Sequence, residues 1–154
     1  MKRIVAVFTV FILITTVSFA QESLREVVRD YQNRNSEFTL VIPSFLIKMG
    51  AQFGDLEDDE REVLENVDNM KIVICENGFN KSDFSLLDEG IKKGKFSELM
   101  TVNDGGDKVR MIINKKSERN SELLMLVESD DENVLLLMNF HGEPDYKKFA
   151  SLVN

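Results

Sequence analysis

His141 is the only histidine in the chain, and Glu143 and Asp145 follow it within four residues. An imidazole beside carboxylates is the minimum for general acid–base hydrolysis, or for weak capture of a divalent cation. A stable metal site needs three or four converging ligands, and there is no second histidine to supply one. Cys75 is the only cysteine, which excludes an intramolecular disulfide. A nucleophilic thiol needs a cationic or exposed setting. The run Met70-Lys71-Ile72-Val73-Ile74-Cys75 reads instead as a buried strand, where a thiol acts as a small hydrophobe.

Asp55 to Asn69 holds the densest carboxylates. Asp55, Glu57 and Asp59 match the alternation of a calcium loop, but Glu60 stands where the turn glycine belongs. Asn66 stands where the bidentate glutamate belongs, so the run reads as a solvated helix start. Glu57 with Glu60 is a carboxylate pair of the kind glycosidases use, but it falls on that helix start. Gly105-Gly106 has the makings of an anion nest, except that Asp104 and Asp107 would repel a phosphate. No Gly-x-Ser-x-Gly elbow is present. These types and spacings therefore assign no catalytic, cofactor-binding or metal-ligating residue, and no cofactor is expected.

The first twenty residues predict an address. Lys2 and Arg3 precede a mostly apolar run from Ile4 to Val17, and Ser18-Phe19-Ala20 has the small-x-small cleavage pattern of a secretory signal peptide. A membrane span needs about 20 apolar residues, more than this run offers. Cleavage after Ala20 leaves 134 of the 154 residues, enough for one domain with its own core. It also takes the net charge from −8 to −10. Nucleic acids and anionic membranes are attracted by clustered Lys and Arg, so neither is an expected partner. At 43% hydrophobic with 11 Phe, the chain is too apolar to stay disordered.

Residues 21–37 predict an N-terminal helix or arm, with Leu24, Val27, Val28 and Tyr31 on one face. Residues 38–154 predict a single α+β domain. Phe38 to Ile42 reads as a strand stopped by Pro43. Phe45, Leu46, Met49 and Phe53 then form an apolar stripe, expected to be core and ended by Gly54. Leu56, Val63, Leu64 and Val67 extend a helix through the acidic run, ahead of the Met70–Cys75 strand and a turn at Glu76-Asn77-Gly78. Phe84, Leu87 and Ile91 predict another helix, capped by Ser82 or Asp83 and stopped at Gly94.

The pattern then changes to period two. Phe96 to Asn103 and Lys108 to Lys116 flank an Asp-Gly hairpin, and Glu122 to Glu128 and Val134 to Phe140 follow. Four strands with short links predict an antiparallel β-meander in the C-terminal half, with helices packed on one sheet face. A last helix is expected from Asp145 to Val153 behind Pro144.

The runs Phe96 to Val102, Val109 to Ile113, Glu122 to Val127 and Val134 to Met138 into Gly142, with Met70-Lys71-Ile72, resemble an exported Bacteroidota family. It is catalogued as domain of unknown function 4252. The resemblance covers nearly the whole mature chain and implies an envelope protein, often a lipoprotein, with no catalytic residues to carry over. Residue 21 is Gln, so the usual lipid attachment cysteine is missing.

Together these features predict an exported, soluble, acidic and non-enzymatic protein, periplasmic or secreted. Its expected role is to bind an unknown protein or cell-envelope component through a sheet face or edge strand. No stable membrane insertion is expected after cleavage. The alternatives are a hydrolase-like enzyme using His141 and nearby carboxylates, and a weak divalent-cation binder using Asp55 to Glu65 or Asp130 to Glu132.

Overall fold

The computed structural model describes residues 23–35, 38–75, 79–129, 133–142 and 144–145. The expected signal peptide, the Glu76–Gly78 turn, the Asp130–Glu132 loop and the expected C-terminal helix beyond Asp145 lie outside the described residues.

Ser23 opens the first helix, α1 (Leu24–Asn35). Its hydroxyl accepts from the Glu26 N–H at 3.3 Å, and the Glu26 carboxylate accepts from the Ser23 N–H at 3.4 Å, which closes a capping box. Leu24, Val27, Val28 and Tyr31 are all buried, as their spacing requires. Strand β1 (Phe38–Pro43) leads directly into α2 (Ser44–Phe53), with extended Pro43 at the N-cap position. Helix α3 (Asp58–Glu65) follows, then β2 (Val67–Cys75).

The acidic helix is shorter than its apolar spacing predicts. Val67 belongs to β2, where it pairs with Phe140, because strand pairing overrides the helical period at that point. A 3₁₀ turn (Lys81–Phe84) introduces α4 (Ser85–Lys92). Asn80 and Asp83 form the capping box of that turn, and Gly94 follows α4 at φ +70°. The meander is β3 (Ser97–Asp104), β4 (Asp107–Ser117), β5 (Asn120–Glu128) and β6 (Asn133–His141). Gly105 and Gly106 make the two-residue β3–β4 turn at φ +59° and +115°, the left-handed backbone that type of turn demands.

All six strands form one antiparallel sheet in the order β1-β2-β6-β5-β4-β3, so the fold is α+β with the expected meander. Side chains alternate faces along each strand, and two cores result. One face packs Val73, Cys75, Leu124, Leu126, Leu135 and Leu137 beneath α1 and α4. There Tyr31 stacks on Phe84 with centroids 5.5 Å apart, and Phe79 meets both rings edge-on. The other face packs Ile113, Leu123, Met138 and Phe140 against Ile47 of α2 and Val63 of α3. Helices thus cover both faces rather than the single face expected. The strands require it, since β5 and β6 are apolar at odd and even positions alike.

Gly90 of α4 lies against the buried ring of Phe96. A Cβ there would come within 2.3 Å of two ring carbons. Gly90→Ala is expected to lower stability by about 1 to 2 kcal/mol net, overpacking outweighing the helix-propensity gain. Urea denaturation against wild type checks this.

Candidate functional site

Among the described residues, those with reactive chemistry do not converge. His141 is exposed at the end of β6, and its backbone N–H donates to the Asn66 carbonyl at 3.0 Å. Asp145 is exposed and Glu143 lies outside the described residues. Cys75 is buried, its thiol directed at the Val73 carbonyl 3.7 Å away. Glu57 and Glu60 cap α3: the Glu57 N–H donates to the Glu60 carboxylate at 2.9 Å, and the Glu57 side chain accepts from the first turn. Among the described residues no group of three or more His, Cys, Asp or Glu is placed to hold a metal ion.

One cleft of about 270 Å³ lies between the 3₁₀ turn, α4 and strands β4 and β5. Phe79, Phe84 and Leu126 give it an apolar floor beside Lys108 and Arg110. Its charges are answered locally. Arg110 reaches Glu98 at 2.7 Å and Asp88 at 3.7 Å, and Lys108 stands opposite Glu128 in the β4–β5 register. A second cleft, of about 540 Å³, is lined by polar ends of α2 and α3, including Lys48, Arg61 and Glu65. His141 lines neither.

The Thr101 hydroxyl and then the Arg110 guanidinium donate to the Glu98 carboxylate and hold its pKa below the usual value. A lowered carboxylate stabilises the fold above its ordinary pKa, and the effect is lost as pH falls through the lowered one. Thr101→Val is expected to raise the Glu98 titration midpoint toward the ordinary value. NMR titration of the Glu98 side chain reads this.

Glu122 is the most enclosed charge, 1% exposed at the start of β5. It accepts from the Leu24 N–H at 2.9 Å, pairs with Lys116 at 2.7 Å and Arg25 at 3.5 Å, and has Asn114 at 3.4 Å. Arg25 also donates to the Asn139 side-chain amide oxygen Oδ1 at 2.8 Å, and the Asn139 amide nitrogen donates to Asn69 Oδ1 at 2.6 Å. Every partner belongs to the fold, so the carboxylate anchors the start of α1 instead of offering a free base. The sequence carried the signal: period two puts Glu122 on the same strand face as Leu124 and Leu126.

Among the described residues, the exposed surface of α2 is mostly apolar. The stripe expected to be core is exposed instead: Phe45 at 65%, Met49 at 51% and Phe53 at 79%, with Leu46 beside them. Ile47 and Ala51, about half a turn away on α2, are the buried residues, and Ile47 packs on the sheet. Helix α2 is therefore apolar on two opposite sides, a pattern that belongs to a helix covered all round.

Strand β1 continues the surface. It is an edge of the sheet, with Phe38, Leu40 and Val41 all exposed. From Phe38 to Gly54 the only charged residue is Lys48, where the chain's 30% average predicts about five. The opposite edge, β3, is built differently. It carries Glu98 and Asp104 and a register shift between Glu98 and Met100, devices that discourage a further strand.

A family model described as Domain of unknown function (DUF4252) matches residues 31–152. No curated protein matches the chain. Among solved structures, the Ran-binding protein Mog1p of Saccharomyces cerevisiae is similar at 14% identity and a TM-score of 0.29. The alignment covers 65% of this chain and 60% of the yeast protein.

Proposed function

From the geometry of this chain, which belongs to the DUF4252 family, we propose a non-enzymatic binding module that docks its partner on β1 and the outer side of α2. The observation that carries the reading is the two-sided α2: Ile47 and Ala51 serve the core, while Phe45, Met49 and Phe53 face solvent. Exposed aromatic and Met side chains at this density are unusual on a monomer and typical of docking surfaces. Their lack of charge suits a partner held by apolar burial and, at the strand edge, by backbone hydrogen bonds.

The working location is proposed to be the periplasm or the outside of the cell, after cleavage behind Ala20. Support comes from the Lys2-Arg3 start, the apolar run and Ser18-Phe19-Ala20. Gln21, in place of a lipid-bearing cysteine, favours an untethered product. Among the described residues no helix is long and apolar enough to cross a membrane.

Crosslinked capture from the native cells tests the docking surface. Wild type is expected to hold a reproducible partner, and Phe45→Asp/Phe53→Lys to reduce its recovery at least about tenfold while remaining folded by circular dichroism. Equal recovery by both proteins overturns the reading. N-terminal sequencing of the native protein is expected to begin at Gln21, and recovery of residues 1–20 on it overturns the export proposal.

A further inference from the structure

Resting on that reading of β1 and α2 as a docking surface, we infer that its occupant is a second copy of this chain, joined β1 to β1 in a continuous twelve-stranded sheet. The sheet's two edges motivate it. Strand β3 carries charge and a register shift, whereas β1 has no charged residue and no register shift in its pairing with β2. An apolar, regular edge left open invites uncontrolled pairing, so its persistence points to a defined strand that covers it.

The charge distribution selects a second copy. Each mature chain carries a net −10, and two such chains approach each other best through a surface without acidic residues. The segment from Phe38 to Gly54 is such a surface, with Lys48 alone. The area on one side of the sheet is substantial. Six large apolar side chains, on the Leu40 face of β1 and on α2, are between 43% and 79% exposed. At roughly 100 Å² each they offer on the order of 600 Å², against the ~800 Å² that one partner brings to a standard interface.

Symmetry then limits the register to those that place a β1 residue opposite its own copy, and Pro43 chooses among them. A two-fold axis perpendicular to the sheet keeps each side chain on its own face, so opposed residues must share a face. Leu40, which pairs with Ile72 in β2, lies on the same face as Phe38 and Ile42. Placing Leu40 opposite its own copy sets Phe38 against Ile42 and Thr39 against Val41. Pro43, which has no N–H to give, falls just outside the seam, where a proline is tolerated. Both copies of α2 then lie on one face, on either side of the two-fold.

The mature chain, residues 21–154, is tested by sedimentation equilibrium and by cysteine crosslinking. Wild type is expected to be a dimer in the micromolar range. Leu40→Cys is expected to form an intermolecular disulfide on mild oxidation, because directly opposed Cα atoms lie within disulfide range. Val102→Cys, exposed on the opposite edge, is expected to remain reduced. Leu40→Lys is expected to weaken self-association at least about tenfold while keeping the wild-type circular dichroism spectrum. A monomeric wild type, or a Leu40→Cys that crosslinks no faster than Val102→Cys, overturns the inference. In that event, capture of a different protein that Phe45→Asp/Phe53→Lys abolishes keeps the broader reading standing, and capture indifferent to those substitutions removes both.

Discussion

Glu122→Ala is expected to cost about 3 to 5 kcal/mol and to lower the melting temperature by roughly 10 to 20 °C. The side chain is 1% exposed, and its removal takes an acceptor from three donors at once. Lys116 loses a partner at 2.7 Å while only 29% exposed, so its ammonium cannot fully rehydrate. The Leu24 N–H, one of the four donors a helix start leaves open, loses its acceptor at 2.9 Å. Asn114, itself buried, loses the third contact. The negative charge also favours the positive end of the α1 dipole, and that contribution goes with it. Arg25→Ala is expected to cost under about 1 kcal/mol, because its side chain is 57% exposed and solvent screens the pair. Glu122→Gln keeps the volume but not the charge and is expected to fall between them, at about 1.5 to 3 kcal/mol. Guanidinium denaturation of the three variants orders them, and a Glu122→Ala loss under about 1 kcal/mol would remove the anchor interpretation.

Legibility followed the kind of signal each segment carries. The meander was readable because period-two runs and the Asp104-Gly105-Gly106-Asp107 turn are local features, and the strands observed begin and end within a residue or two of them. Helix α1 was equally readable, since its polar face is charged and only one side of it can be buried. Helix α2 defeated the same reasoning. Its sequence, SFLIKMGAQF, is apolar on opposite sides, so periodicity marks a helix without saying which side meets the sheet. Helical spacing pointed to the Phe-Met stripe, whereas the fold buries Ile47 and Ala51. The pairing of β1 and β2 and of β2 with β6 joins segments up to about seventy residues apart, and no local pattern encodes it. The candidate site was harder still. His141, Cys75 and the acidic run drew attention by residue type, but a docking surface is defined by exposure, which only the packed structure reveals.

The two sides of α2 make opposite responses to charge, and this is the sharper test of how the helix is used. Ile47→Asp is expected to cost at least about 4 kcal/mol, since Ile47 is 6% exposed in an apolar cluster with Val63, Ile113, Leu123 and Met138. Phe45→Asp introduces the same charge two residues away and is expected to leave stability within about 0.5 kcal/mol of wild type. Two effects nearly cancel there. The exposed ring contributes little to the fold, and a carboxylate in the first turn of α2 meets the positive end of the helix dipole. That turn holds no acidic residue, and Pro43 at the N-cap gives no side-chain hydrogen bond, so the open N–H groups gain an acceptor. A natural sequence with a near-neutral acidic substitution open to it at position 45 instead presents a phenylalanine to water, a choice that fold stability does not require and a binding surface does. Thermal and urea unfolding of Ile47→Asp and Phe45→Asp measure the contrast directly. Equal destabilisation by the two would mean that Phe45 serves the core, and α2 would then lose its outward role.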